Sequence, residues 1–268
     1  MNQGLVTQRS TLSEAIPVAS SWILRSEPKP KARLRFFCFP YAGAGASAFV
    51  SWVHLMPPEV EICAVQLPGR ETRLREKPFV RLPVLVQALR ESLRPYLHEP
   101  FAFFGHSMGA LVSFELAREL RRARLPGPVH LFVSGHRAPH LPDPDPPIHQ
   151  LPASAMVAEL RRRYDTPETL IQNPELLELL LPLLRADLAV CETYLYSAED
   201  ALDSPITVYG GLEDLKVSRQ ELTAWRSQTR GVFDLRMFPG KHFFPQTAES
   251  FVLQSLGHDL KCVLNSAL

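Results

Sequence analysis

Five residues, Gly105-His106-Ser107-Met108-Gly109, set a serine between two glycines. They follow the apolar run Phe101-Ala102-Phe103-Phe104 and precede a segment of helical period over 108–122. A G-x-S-x-G between a strand and a helix lifts the serine hydroxyl above a sheet on a sharp, strained turn. Larger side chains beside the serine would collide with the neighbouring strand and helix, hence the glycines. The helix start aims N–H groups and the positive end of its dipole at whatever the serine attacks. A serine hydroxyl is a weak nucleophile until a base takes its proton, and a buried acid best holds that base. On such a turn the partners follow in the order serine, acid, histidine. The run Ile206-Thr207-Val208-Tyr209-Gly210 leads into Gly211-Leu212-Glu213-Asp214, which offers Asp214 as the acid and Glu213 as the reserve. The next apolar run, 233–238, leads into Pro239-Gly240-Lys241-His242-Phe243, which offers His242 as the base.

Acyl chemistry at a serine also needs two backbone N–H groups for the developing oxyanion, one after the nucleophile and one from an early strand–helix loop. Met108 supplies the first. The small-residue loop Pro40-Tyr41-Ala42-Gly43-Ala44-Gly45-Ala46 supplies the second, from Ala42 or else Tyr41. That loop has neither the G-x-G-x-x-G nor the lysine of a phosphate loop. Tyr41, His106 and Phe243 are expected to surround the substrate, although His106, inside the elbow, is also placed to pack.

Those residues need elements to position them. Strand patterns fall at 34–39, 60–67, 101–105, 129–135, 206–210 and 233–238, each a near-continuous apolar run, as strands covered on both faces require. Helical periods fall between them at 82–97, 108–122, 219–229 and 248–263. The alternation predicts an α/β fold, a mostly parallel central sheet flanked by helices. Between 135 and 206 no strand pattern occurs. A proline-dense stretch over 139–147 opens that segment, and helical pieces follow at 153–163 and 174–196, the second expected to break at Pro182. Residues 139–200 are therefore expected to be an insertion acting as a lid over the serine, with plain helical decoration as the alternative. Its leucines at 176, 177, 179–181, 183 and 184 suit a core, an acyl wall, or both. Residues 1–30 are expected to be a poorly ordered extension anchored only by Trp22-Ile23-Leu24, ahead of a domain over 31–268.

The 268 residues are 46% apolar and 21% charged, ordinary for a globular chain with a full core. A net charge of +1 gives no bulk attraction to nucleic acid or a membrane surface. No apolar run approaches the roughly 20 residues of a membrane span, and residues 1–30 lack a secretory pattern. The four cysteines, Cys38, Cys63, Cys191 and Cys262, are scattered without a C-x-x-C pair, which suits free thiols in a reducing, cytoplasmic setting.

The segments FCFPYAGAGAS (37–47), QLPGRETR (66–73), FFGHSMGA (103–110), SGHRAPH (134–140), ELLELLLPLLRADLAVCETY (175–194), ITVYGGLED (206–214) and FPGKHFF (238–244) occur in order. On them the chain resembles the stand-alone type II thioesterases of polyketide and nonribosomal peptide synthesis, related to medium-chain fatty acyl thioesterases, in the α/β-hydrolase superfamily. The resemblance covers roughly residues 34–263. It implies a triad of Ser107, Asp214 and His242, oxyanion donors Ala42 and Met108, and a substrate acyl group carried on the phosphopantetheine arm of an acyl- or peptidyl-carrier protein. It implies hydrolysis that clears stalled or aberrant acyl groups. No cofactor, metal, nucleic-acid or membrane partner is expected, and a monomer is. Arg70, Arg73 and Arg75 in one loop, and Arg161-Arg162-Arg163, are candidate docking charges for an acidic carrier, with a solvated charged face as the plainer account. One local departure is His136, where the family often carries arginine; it touches lid packing or acyl preference and leaves the triad intact. Alternatives sharing these residues are a medium-chain fatty acyl-carrier hydrolase, a small-ester hydrolase or peptidase, and an acyltransferase. A binding module that lost the chemistry is a further alternative.

Overall fold

Phe36 and Phe37 are consecutive and both fully buried, as are Phe103 and Phe104. Successive strand side chains point to opposite faces, so both faces of this sheet must be covered. The computed structural model describes residues 21–164 and 173–266. Its strands are β1 (Ile23–Leu24), β2 (Leu34–Phe39), β3 (Val60–Val65), β4 (Phe101–His106), β5 (His130–Ser134), β6 (Ile206–Gly211) and β7 (Phe233–Phe238). They form one sheet in the order β1-β3-β2-β4-β5-β6-β7. All neighbours pair in parallel except β1, which runs antiparallel to β3 with Ile23 opposite Val65. The expected α/β architecture is therefore present, with β1 as an edge too short for a periodicity to mark. Residues 1–20 of the expected extension lie outside the described residues.

One face packs Phe37 and Phe103 under helices α1 (Leu82–Leu93) and α2 (Met108–Arg122). The other packs Phe36, Phe104 and Phe132 against a 3-10 segment, Ala46–His54, and α7 (Glu249–Ser266). Helix α1 ends earlier than its period suggests and gives way to a 3-10 turn, Arg94–Tyr96, because Pro95 has no N–H to continue an α-helix. After β6, a capping box between Ser218 and Glu221 starts the short α5 (Arg219–Thr223). The even shorter α6 (Phe244–Thr247) follows β7.

Between β5 and β6 lie α3 (Ala153–Tyr164) and α4 (Pro174–Glu192), which share a small cluster of Ile148, Met156, Leu160, Leu184 and Leu188. Asn173 caps α4 through Leu176 N–H, and Pro174 occupies the first turn, where its missing donor costs nothing. The expected break at Pro182 does not occur: α4 runs through it unbroken. An interior proline forfeits one helical hydrogen bond, about 3 kcal/mol. Burial of the flanking Leu183, Leu184, Ala186 and Leu188 offsets that cost. Among the described residues no helix is long and apolar enough to cross a membrane, and all four cysteines are free.

Candidate active site

Ser107 follows the last residue of β4 and caps α2 with φ 53° and ψ −117°, a left-handed conformation costly for a side-chain-bearing residue. Close packing holds it there. A Cβ on Gly105 would lie 2.0 Å from the carbonyl oxygen of Gly109, and one on Gly109 would lie 2.1 Å from that of Phe39. The Ser107 N–H donates to Ser134 O at 2.8 Å, tying the turn to the end of β5.

The loops after β6 and β7 bring the acid and the base to this hydroxyl. His242 Nε2 lies 3.1 Å from Ser107 Oγ, and His242 Nδ1 lies 2.9 Å from Asp214 Oδ2. The other carboxylate oxygen, Asp214 Oδ1, accepts from Lys216 N–H at 2.8 Å and Val217 N–H at 3.3 Å. With its outer oxygen thus fixed, Asp214 aims the inner one at Nδ1, whose N–H donates to it. Nε2 is then left with a lone pair toward the serine. Both side chains are nearly sealed from water, 3% exposed for His242 and 1% for Asp214. Glu213, the reserve acid, turns away; its N–H donates to Gly240 O and helps join the two loops.

A cavity of about 410 Å³ opens over the serine. Ala42 and Met108 both line it beside Ser107. The first-turn amide of α2 has no intrahelical acceptor, and among the described residues Ala42 N–H makes no hydrogen bond. Tyr41 O accepts from Ala44 N–H at 3.1 Å; since carbonyl and N–H point oppositely across a trans peptide, the Ala42 N–H faces away from that turn. Tyr41 and Phe243 also stand on the wall, their rings 5.2 Å apart. His106 does not. It is 1% exposed and sits behind the triad, with its ring 5.2 Å from that of His242. Its Nδ1 shares a 3.0 Å hydrogen bond with Ser134 Oγ. Burial, and then the neighbouring His242, hold His106 well below the usual imidazole range, so it stays neutral. His106 is therefore a packing residue rather than a substrate contact.

The insertion contributes the opposite wall. Leu160, Leu180, Leu184 and Leu188 face the cavity, whereas Leu176 and Leu179 of the same stripe are exposed. Tyr164, at the end of α3, lays its ring edge-on against His242 at 5.4 Å. Lys216 stands 5.6 Å over the Tyr164 ring and pairs with Asp143 at 3.1 Å and Asp145 at 2.7 Å. Neither Tyr164 nor Lys216 carries a sequence signal, since each meets the site only through a tertiary contact. His136 lines the cavity too, and burial pushes its pKa down to about 4, so the wall is neutral where an arginine would be charged.

Of the six expected docking arginines, three are employed inside, and Arg75, Arg161 and Arg162 are exposed. Arg70 is 4% exposed and grips Asp187. Arg73 is 6% exposed, stacks 4.1 Å over Trp22 and donates to Gln66 O. Arg163 is buried against Glu159 and Pro146 O. Only Arg75 of the first loop faces solvent.

Known proteins resemble this chain in sequence and fold. The family model for the thioesterase domain matches residues 35–258. The gramicidin S biosynthesis protein GrsT of Aneurinibacillus migulanus is 44% identical over 249 residues, spanning 93% of this chain and 97% of that one. RedJ, a thioesterase from the prodiginine biosynthetic pathway of Streptomyces coelicolor, superposes with a TM-score of 0.81 at 38% identity, covering 94% of this chain and 99% of RedJ. BorB, a type II thioesterase from the borrelidin biosynthetic cluster, superposes with a TM-score of 0.81 at 35% identity over 89% of this chain and 97% of BorB.

Proposed function

The chain belongs to the thioesterase family and is a serine-dependent thioester hydrolase. From that premise we propose that it frees acyl groups from the phosphopantetheine arm of acyl- or peptidyl-carrier proteins. It thereby clears stalled or aberrant chains from a polyketide or nonribosomal peptide synthase. The observation that carries this reading is the unbroken relay from Asp214 through His242 to Ser107 at the mouth of an acyl-sized cavity.

The geometry suits a two-step reaction. His242 Nε2 takes the Ser107 proton as Oγ bonds to the thioester carbonyl carbon, and the carbonyl oxygen gathers negative charge between the N–H groups of Ala42 and Met108. Each such donor lowers the barrier by roughly 3 kcal/mol. The C–S bond then breaks, and the proton held by His242 passes to the departing sulfur. Thiols ionise near pH 8.5, so this group leaves far more readily than an amine. Water next gives a proton to His242 and its oxygen to the acyl carbon, and the acid departs as Ser107 recovers its proton. Asp214 keeps the imidazole in the productive tautomer and stabilises its cation.

Residues 139–200 act in this reading as the lid, because leucines of α3 and α4 complete the acyl wall. The same wall carries Arg137, Asp143 and Lys216, whose charges are paired with one another. A monomer suffices, since every wall and donor comes from one chain, and four unpaired cysteines suit the cytoplasm.

The test is Ser107→Ala assayed on an acyl-carrier protein and on the same acyl group carried by N-acetylcysteamine. Turnover of both should fall at least about 10⁴-fold while the circular dichroism stays native. Persistent turnover removes Ser107 from the mechanism. Equal wild-type kcat/KM on the two substrates removes the carrier protein from the reading.

A further inference from the structure

Asp187 lies in the C-terminal third of α4 and is 2% exposed, yet both its oxygens accept hydrogen bonds. Oδ1 accepts from Arg70 Nη2 at 2.8 Å. Oδ2 accepts from Arg70 Nη1 at 2.9 Å and from the backbone N–H of Gly43 at 2.7 Å. Arg70 Nη1 also donates to Ala44 O at 2.8 Å. One buried ion pair thus grips the loop over residues 41–46 at an N–H and at a carbonyl, immediately after Ala42. Helix α4 touches the loop a second time, three residues earlier: a Cβ on Gly43 would meet Leu184 Cδ2 at 2.7 Å. Gly43 itself has φ +80°, which admits this close approach without a side chain.

A buried, paired charge is rarely stabilising compared with an apolar pair of the same size. An apolar pair, however, has no acceptor for Gly43 N–H. Losing that acceptor leaves a part-buried donor unsatisfied, which the loop relieves by turning its peptide planes toward the cavity. The plane between Ala42 and Gly43 shares its first Cα with the plane that carries Ala42 N–H. We propose that Asp187, held by Arg70, is a positioning residue for the oxyanion loop, so that the seat of α4 sets the aim of the Ala42 N–H. The acyl wall and the oxyanion site then form one body: displacing α4 opens the cavity and misaligns the donor together. The inference rests on the reading of Ala42 as an oxyanion donor.

The experiment compares Asp187→Asn, Asp187→Glu and the pair Arg70→Met with Asp187→Leu. It measures kcat, KM, the pH–rate profile, and the Ki of an acyl trifluoromethyl ketone, whose tetrahedral adduct places an oxyanion between the donors. For Asp187→Asn kcat should fall about 10–30-fold, and for the apolar pair about 100-fold. KM should stay within about threefold, Ki should weaken in step with kcat/KM, and the apparent pKa of the profile should not move because the Asp214–His242 pair is untouched. Asp187→Glu keeps the charge on Arg70 but shifts the acceptor by one methylene; it serves if the apolar pair does not fold, and should lose kcat about tenfold with little change in melting temperature. Variants that melt earlier but keep kcat per folded molecule and Ki overturn the proposal and leave a structural ion pair. If Ser107→Ala retains turnover, the reading of the whole site fails. If Ser107→Ala is inactive while the Asp187 variants keep kcat and Ki, only the clamp fails.

Discussion

The two walls of the cavity are held in different ways. Ser107, Asp214 and His242 stand one, three and four residues past β4, β6 and β7, and their loops are tied by main-chain bonds such as Ser107 N–H to Ser134 O and Glu213 N–H to Gly240 O. The leucine wall belongs to α3 and α4, whose own apolar cluster is small. Side-chain charges fasten it to the sheet: Lys216 to Asp143 and Asp145, Arg137 to Asp143 at 2.6 Å, Arg70 to Asp187 at 2.8 Å. Main-chain ladders hold reacting atoms to fractions of an ångström, as chemistry demands. Side-chain staples tolerate exchange of the residues between them. The difference separates a fixed chemical half from an adjustable selective half, joined where Arg70 and Asp187 grip the oxyanion loop, and away from that clamp each half should fail in its own manner.

The largest break falls on the chemical half. Asp214→Asn keeps the shape but no longer dictates the tautomer of His242, and kcat should fall about 10⁴-fold with the melting temperature little changed. Steady-state kinetics with one acyl-carrier substrate, alongside a thermal melt, checks this. A loss of only a few-fold would mean that Glu213 or another acid substitutes, and the fixed half would be less fixed than its bonds suggest.

Acid separates the halves next. His130, on β5, stacks at 4.2 Å on Phe132 and shares a 2.8 Å bond with Thr207, and burial pushes its pKa down to about 4. An unfolded histidine titrates near 6.5, so between those values the unfolded chain takes up a proton that the folded chain refuses. The stability is therefore complete above about pH 6.5 and is lost as pH falls toward 4, by up to roughly 3 kcal/mol for this residue. The staples act later, since Lys216 beside Asp145 holds that carboxyl below its usual 3.8. Urea unfolding at pH 7 and pH 4.5 should show a smaller difference for His130→Gln than for the wild type. An unchanged difference would place the acid sensitivity elsewhere, with His136 as the first candidate.

The chemical half was also the legible half. Glycines around a serine, and an acid and a base each just past an apolar run, are short-range patterns, and short range is what a sequence displays. All six expected strands form for the same reason. The selective half depends on meetings between distant segments. Arg70 and Asp187 are 117 residues apart, so nothing local marks them as partners, and Arg70 and Arg73 read as surface charges. His106 was ambiguous because an elbow residue can face the cavity or the sheet, and only packing against Ser134 decides. Pro182 misled by a sound local rule that burial of its neighbours outweighs.

A smaller effect should show selectivity moving alone. Leu188 lines the cavity and is 5% exposed. Leu188→Trp fills the cavity, so kcat/KM for longer acyl groups should drop about tenfold while acetyl and propionyl substrates change little. A panel of acyl-carrier proteins of graded chain length reads this directly. Equal losses at every length would show that the wall does not choose the chain.

The smallest effect probes a residue that serves both halves. The Lys216 backbone N–H holds Asp214, whereas its ammonium, 7% exposed, staples the insertion through Asp143 and Asp145. Lys216→Met preserves the stem and the backbone donor but removes the charge. The carboxylates left behind are partly exposed, 46% and 28%, so water can solvate them and the loss is modest, about 1 kcal/mol. KM should therefore rise about three- to fivefold with kcat within about twofold, and amide exchange in α3 should quicken. A fall in kcat at constant KM would mean that the staple reaches the reacting atoms through Tyr164, whose ring lies between Lys216 and His242. In that event the insertion belongs to the chemical half, and the contrast between the two walls gives way to a single coupled site.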